Sequence, residues 1–353
     1  LDLPAKVRAY RLRRARNRAR STMHDALMAY FEGRYNAAEK SAAKALALDE
    51  WPALSSVVAA RSAHQLRRFG EPDNYLRLAD EAGPEARLLR PITQAELLLR
   101  ESRASEALDA LREVGSVAPK SVAALRLTLK AQTIAKNWDE VLALTDRLQK
   151  LNGIDPAYAG EVRRTAWLGL LNRKAQDPQG LTAVWEMIPA EYRRTRDIAL
   201  AAAKYFIAQG GVKQAIGIIE SGLEAQWDPA LIDLYGDCLS QNVVRQIERA
   251  EGWLQEHRKD PMLLLTLGKL CAKQALWGKA QSYLEASLAV EPTQAAHIAL
   301  AQLLESLGKH NEALRHYRES LTLDRRRWAI GEEPKLYRSA LERTPVEKVD
   351  AAE

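Results

Sequence analysis

Cysteine is nearly absent. The 353 residues hold two, Cys238 and Cys271, which excludes a disulfide framework and suits a reducing compartment. Aromatics make up 6%, and 18 Gly and 14 Pro are too few for a turn-rich all-β protein or a collagen. Long hydrophobic runs are missing too. The longest candidate, Ile198 to Ala203, stops at Lys204, far short of the ~18 apolar residues of a membrane span. No signal peptide is evident, and the start at Leu1 reads as that of a fragment cut from a longer chain.

Catalytic constellations are lacking as well. None of the six His has the His-Glu-x-x-His spacing, the two Cys lie 33 residues apart, and no Gly-x-Gly-x-x-Gly follows a strand. The chain is therefore expected not to be an enzyme, with no catalytic, cofactor or metal residue assigned. Both Cys read as small core residues.

What is present is helix. Hydrophobic residues make up 47% of the chain, and they recur at spacings of three and four nearly throughout. Asp155-Pro156, Asp177-Pro178, Asp228-Pro229, Asp260-Pro261 and Glu291-Pro292 separate the segments. An acidic cap followed by Pro in the first turn suits a helix start.

The segments repeat. From Pro261, the residues Leu264, Leu267, Gly268, Cys271, Ala280, Leu284, Ser287 and Pro292 fall on positions 4, 7, 8, 11, 20, 24, 27 and 32 of the ~34-residue tetratricopeptide unit. The template fits nine starts: 19, 53, 88, 122, 162, 196, 229, 261 and 294. Position 8, where two helices are expected to cross, reads Ala26, Ala60, Ala95, Leu129, Gly169, Ala203, Gly236, Gly268 and Ala301. Position 20 is looser, with Pro72 and Glu248 fitting poorly. The expected fold is all-α: an α-solenoid of about nine tetratricopeptide-type helix-turn-helix repeats in a right-handed superhelix. Its expected parts are a basic helix over 1–20, the solenoid over 21–320, a capping helix over 321–343 and a disordered tail over 344–353.

Charge is uneven. Residues 6–20 carry eight Lys and Arg and no acid, so with the whole chain at +6 the remainder nets −2. A solvated helix and a nucleic-acid contact are two readings of this head. The lack of interleaved aromatics and of a helix-turn-helix counts against nucleic acid. The third reading is a juxtamembrane segment whose Arg11, Arg13, Arg14, Arg16, Arg18 and Arg20 meet an anionic membrane surface; the non-Met start favours it.

Positions 2, 5, 9, 12 and 13 of each first helix should line a concave groove. They supply Arg126, Lys130, Lys204, Lys269 and Lys273 among apolar neighbours Ile92, Leu99, Ile134, Leu200, Ile207, Met262 and Leu265. Such a groove suits an acidic peptide, helical or extended. His64 and His297 lie on first helices, but their neighbours make no evident ligand pocket. Trp138, Trp185, Trp227, Trp253 and Trp277 read as packing between helices.

Three stretches carry a resemblance: Leu263 to Cys271 followed by Leu276 to Ala280, Tyr283 to Leu288 and Glu291-Pro292; Ala29 to Tyr35 with Ala38-Glu39-Lys40 behind the basic helix; and Ala166 to Leu170. Together they resemble the HemY family of proteobacteria. The resemblance implies two preceding transmembrane helices that this chain lacks, an inner-membrane location with the repeats facing the cytoplasm, and a late step of protohaem synthesis. It does not extend to the flavin-dependent oxidase that shares the name. The expected function is a non-enzymatic, membrane-tethered scaffold for proteins, including haem-pathway enzymes. A direct porphyrin or haem carrier, and an adaptor for another envelope process such as lipopolysaccharide assembly, are the alternatives.

Overall fold

In a computed structural model of the chain, the described residues are 3–49, 51–80, 86–238 and 242–329. All regular structure among them is α-helix. First helices of the repeat are α1 (Leu3–Phe31), α3 (Pro52–Gln65), α5 (Ala86–Arg100), α7 (Val122–Ile134), α9 (Pro156–Arg173), α12 (Arg196–Ala208), α14 (Pro229–Asp237), α16 (Pro261–Lys273) and α18 (Gln294–Ser306). Second helices are α2 (Tyr35–Ala47), α4 (Glu71–Asp80), α6 (Ala104–Val117), α8 (Trp138–Lys150), α10 (Pro178–Met187), α13 (Val212–Ala225), α15 (Val243–Trp253), α17 (Trp277–Val290) and α19 (His310–Ala329), with the single turn α11 (Ala190–Arg193) after α10. All nine expected starts fall in first helices, so the chain is an all-α array of tetratricopeptide-type repeats. The extra length before the fifth repeat is taken up by α9, which begins at Pro156, ahead of the expected 162.

The chain forms two compact units, Leu1–Leu170 and Leu171–Glu353. In the first, α1–α2, α3–α4, α5–α6 and α7–α8 are hairpins, and α1, α3, α5 and α7 pack in succession. In the second, α12–α13, α16–α17 and α18–α19 are hairpins, and α12, α14, α16 and α18 pack in succession. A first helix such as α16 thus has its own second helix on one side and neighbouring first helices on the others. This explains α16, which buries Leu263, Leu264, Leu265, Leu267, Leu270 and Cys271 around most of its circumference. Each large apolar side chain so buried contributes about 1.5–3 kcal/mol.

The expected boundaries differ from the helices at both ends. α1 runs without a break through residue 20, and residues 321–329 continue α19. The rest of the expected cap, 330–343, and the tail, 344–353, lie outside the described residues.

Helix starts follow the acid-Pro rule in four places. Asp177 accepts from Gly180 N–H at 2.9 Å, Asp228 from Ala230 and Leu231 N–H, Asp260 from Leu263 N–H, and Asp155 from Ala157 and Tyr158 N–H. Glu291-Pro292 departs from it: Glu291 is the C-cap of α17, and Thr293 caps α18 through Ala296 N–H.

Seven first helices end alike. Gly33, Arg67, Ser102, Lys136, Gly210, Ala275 and Gly308, all at repeat position 15, have φ between 54° and 75°. The N–H of the residue after each reaches back to the carbonyl five residues before it in a Schellman pattern, as in Gly211 N to Phe206 O at 2.8 Å and Leu276 N to Cys271 O at 3.0 Å.

Position 8 is small for three different reasons. A Cβ on Gly268 would meet Leu284 of its own second helix, as the crossing argument expects. On Gly169 it would overlap the Trp138 indole from the preceding second helix, and on Gly236 it would press on Thr266 of the next first helix. The poor fit at Glu248 is a register shift. α14 is only nine residues long, and Gln246 takes the inward place in α15. Its amide donates to Tyr235 O at 2.7 Å and Cys238 O at 2.8 Å, while Glu248 is exposed.

Candidate functional site

The second unit carries a shelf on its first helices, a cavity of about 620 Å³. Ala272, Ala295, Ile298, Ala299 and Leu303 give it an apolar floor, and Trp277 stands at its side, 40% exposed. Polar groups from three successive first helices rim it: Asp237 of α14, Lys269 and Lys273 of α16, and Gln302 and Ser306 of α18. The lining residues of α18 are positions 2, 5, 6, 9, 10 and 13 of its repeat, because residues three and four apart share a helix face. Four of these are among the positions expected to form a groove.

The rim is charge-balanced rather than simply basic. Lys269 Nζ lies 3.2 Å from Asp233 Oδ1 and 3.1 Å from Asp237 Oδ1. Burial of the ammonium works against its charge, but the two carboxylates outweigh burial and hold it above the ordinary lysine range. Lys269 is therefore a strut between α16 and α14, not the free cation expected. Lys273 is exposed and remains available on the rim. Sequence reasoning missed Asp233 and Asp237, although they occupy positions 5 and 9 of their own repeat, the same positions searched for cations.

The other expected groove residues are distributed as follows. Lys204 is exposed on α12 of the second unit. Lys130 is exposed on α7 of the first unit. Arg126 is tied down, its Nε donating to Gly153 O at 2.6 Å, which pins α7 to the turn ahead of α9. Leu99 and Leu265 belong to the core, 5% and 1% exposed, rather than to a groove wall.

The basic head lies in the N-terminal part of α1. Tyr10, Arg13, Arg14, Arg16, Asn17 and Arg18 are exposed on every side of the helix, and Arg20 is exposed beyond them. The side chain of Arg11 lies outside the described residues. Ala19, Met23, Ala26 and Ala29 are buried, at spacings of three and four that dock the C-terminal part of α1. Among the described residues no helix is long and apolar enough to cross a membrane.

Reactive groups are poorly placed for chemistry. Cys238 and Cys271 are buried free thiols. Burial pushes both up, Cys271 to about 11 with Glu251 adding to the effect. Trp227 stacks on His257 at 3.6 Å between ring centres, donates from Nε1 to Asp260 Oδ2 at 2.8 Å, and meets Trp253 edge-on. These rings pack against one another, whereas Trp277 is 40% exposed. His64 faces Glu101 at 3.3 Å. His297 meets His316 and Glu319, a set able to hold a metal ion where none was assigned from sequence.

Comparison with known proteins gives the lineage. The family profile described as "HemY protein N-terminus" matches residues 1–67. "Protein HemY" of Escherichia coli (strain K12) is 27% identical over 325 residues, covering 90% of this chain and 81% of that protein. Among solved structures, the Cut9–Hcn1 hetero-tetramer of the APC/C aligns over 89% of this chain and 70% of its own at 14% identity and a TM-score of 0.33. Human IFIT1 aligns over 85% and 75% at 16% identity and a TM-score of 0.34. These superpositions are loose, and the repeat architecture is read from the chain's own helices. The N-terminal profile and the near full-length alignment agree with the basic helix and the repeats behind it, and the chain is similar to HemY proteins along most of its length.

Proposed function

We propose that this protein is a non-catalytic, membrane-tethered adaptor of late haem synthesis that holds a partner protein on the shelf formed by α14, α16 and α18. The observation that carries this reading is the shelf itself: an apolar floor open to solvent, a half-exposed Trp277, and a rim whose exposed cation is Lys273. An apolar floor with a polar rim is the anatomy of a protein contact, and exposed aromatics are favoured anchors there. The groups on the shelf suit holding rather than reacting. Lys269 is engaged with two carboxylates, and Ser306 Oγ donates to Leu303 O. Kinship with HemY supports the haem pathway, and the arginine-rich end of α1 supports a position beside an anionic membrane surface.

The test is a photo-crosslinking residue placed at Gln302 of the full-length protein in living cells, with Glu285, exposed on α17, as the control site. The reading expects an adduct with an enzyme of tetrapyrrole synthesis from Gln302 and none from Glu285. Equal adducts from both sites, or none from Gln302, contradict it.

Trp277 and Lys273 on one shelf also favour a second reading, carriage of a porphyrin with its carboxylates on Lys273. Titration with coproporphyrin should then quench Trp277 fluorescence to saturation, and a Lys273→Glu variant should lose the effect.

A further inference from the structure

The last hairpin brings together three side chains that the shelf does not use. His297 is at position 4 of α18, on the side that faces α19, and is 8% exposed. His316 and Glu319 are one turn apart on α19, so they share a face. His297 Nδ1 lies 3.0 Å from His316 Nδ1 and 3.4 Å from Glu319 Oε2, and His316 Nδ1 lies 3.5 Å from the same oxygen. Arg315 Nε holds the other carboxylate oxygen, Oε1, at 3.2 Å.

We propose that His297, His316 and Glu319 form a binding site for a divalent transition-metal ion of the zinc class. Zinc takes imidazole nitrogen and carboxylate oxygen at ~2.0–2.2 Å in tetrahedral geometry, which sets neighbouring ligand atoms about 3.3–3.5 Å apart. The three separations found here are within a few tenths of an ångström of that edge length, so the ligand atoms are close to their spacing around an ion. Two imidazoles with one carboxylate suit zinc, cobalt and iron(II), and disfavour calcium and magnesium, which take oxygen ligands. Without an ion, the two Nδ1 atoms can share one proton in a hydrogen bond. Binding shifts that proton to Nε2 of the same ring, by exchange with solvent, and leaves both Nδ1 lone pairs for the metal. Arg315 holds Oε1, the carboxylate oxygen that neither imidazole meets, and so steadies the group. Three protein ligands leave one tetrahedral corner for solvent. The ion would join α18 to α19 beside the hydrogen bond that Tyr317 of α19 donates to Glu305 of α18.

The test uses the whole chain, free of any affinity tag, stripped with a chelator and titrated with Co²⁺. The proposal expects one equivalent to bind with the intense visible absorption of tetrahedral cobalt, and Zn²⁺ to displace it and raise the melting temperature. Second-shell changes already cost about 10–100-fold in affinity, so His316→Ala and Glu319→Gln should each weaken binding at least tenfold. Glu319→Gln keeps the shape and the hydrogen bonds of a metal-free network, and circular dichroism establishes that it is folded. If wild type and Glu319→Gln bind Co²⁺ alike, or if wild type shows no tetrahedral spectrum and no Zn²⁺-dependent stabilisation, the site is only a hydrogen-bonded cluster and the proposal falls.

Discussion

Leu284 sits in the notch that Gly268 leaves on α16: a Cβ at residue 268 would stand 2.5 Å from Leu284 Cγ and 2.6 Å from its Cδ2. Leu284 is 1% exposed and hemmed in by the core, so it cannot swing into solvent. Gly268→Leu should therefore destabilise the protein by about 1–3 kcal/mol, read as a lower denaturant midpoint. Gly169→Ala, set against the more rigid Trp138 indole, should do likewise. Unchanged midpoints in both would show that these helices do not approach as described.

The shared left-handed residue at position 15 makes opposite predictions at neighbouring repeats. Ala275 has φ of 54°, a region that strains a residue bearing a Cβ. Ala275→Gly should relieve that strain and raise stability by up to about 1 kcal/mol, less the extra chain entropy of Gly. Gly308→Val, at φ of 74°, should lower it. Thermal unfolding of the two variants decides the matter, and the same sign for both contradicts the turn assignment.

Such turns mark the limit of what could be read from residues alone. Apolar spacing gave the helices, and position 8 gave the phase, because a small residue there shows in the sequence whichever neighbouring helix demands it. The turn signal was visible only at Gly33, Gly210 and Gly308, while Arg67, Ser102, Lys136 and Ala275 adopt the same backbone unannounced. Lys269 was misjudged because its carboxylate partners stand 32 and 36 residues upstream on another first helix. Gln246 hid a shifted register because a buried amide satisfied by two carbonyls looks like any surface Gln. His297 and His316 are 19 residues apart, a spacing that matches no metal motif and closes only when the hairpin folds.

The thiols report on the integrity of the second unit. Cys271 is held as the thiol by a value pushed up to about 11, and thiolate is the reactive form. In native protein at pH 8 neither Cys238 nor Cys271 should react appreciably with a disulfide reagent, and both should react in denaturant. Fast labelling of either under native conditions would place it outside the core.

Asp177 should respond to acid. The Gly180 N–H, with the Lys174 ammonium helping, holds its carboxyl below the usual carboxylate range. The folded value is the lower one, so the cap's contribution is complete above the unfolded value of about 3.9 and is lost as pH falls through the folded value. Asp177→Asn keeps a capping oxygen without the charge. In that variant the loss of α10 stability below about pH 4 should flatten, as followed by hydrogen exchange.

The N-terminal part of α1 should bind anionic membranes weakly. Each exposed Arg near such a surface adds about 1 kcal/mol, screened over ~8 Å at physiological salt. Replacing Arg13, Arg14, Arg16 and Arg18 by Gln should abolish sedimentation with anionic vesicles. Binding to neutral vesicles at high salt, or undiminished binding of the variant, contradicts an electrostatic contact.

The shelf is the centre of the functional account, and Lys269 is the wrong place to test it, since its reversal would set a third acid beside Asp233 and Asp237. Lys273→Glu with Trp277→Ala changes two exposed groups instead and should leave the fold intact. The most direct measurement is the haem and porphyrin content of cells lacking the protein, complemented with wild type, with this double variant, or with Glu285→Lys on α17. The account predicts normal content with wild type and with Glu285→Lys, and disturbed content with the double variant although it is folded and present at equal level. Full restoration by the double variant would contradict the account and move the function off the shelf.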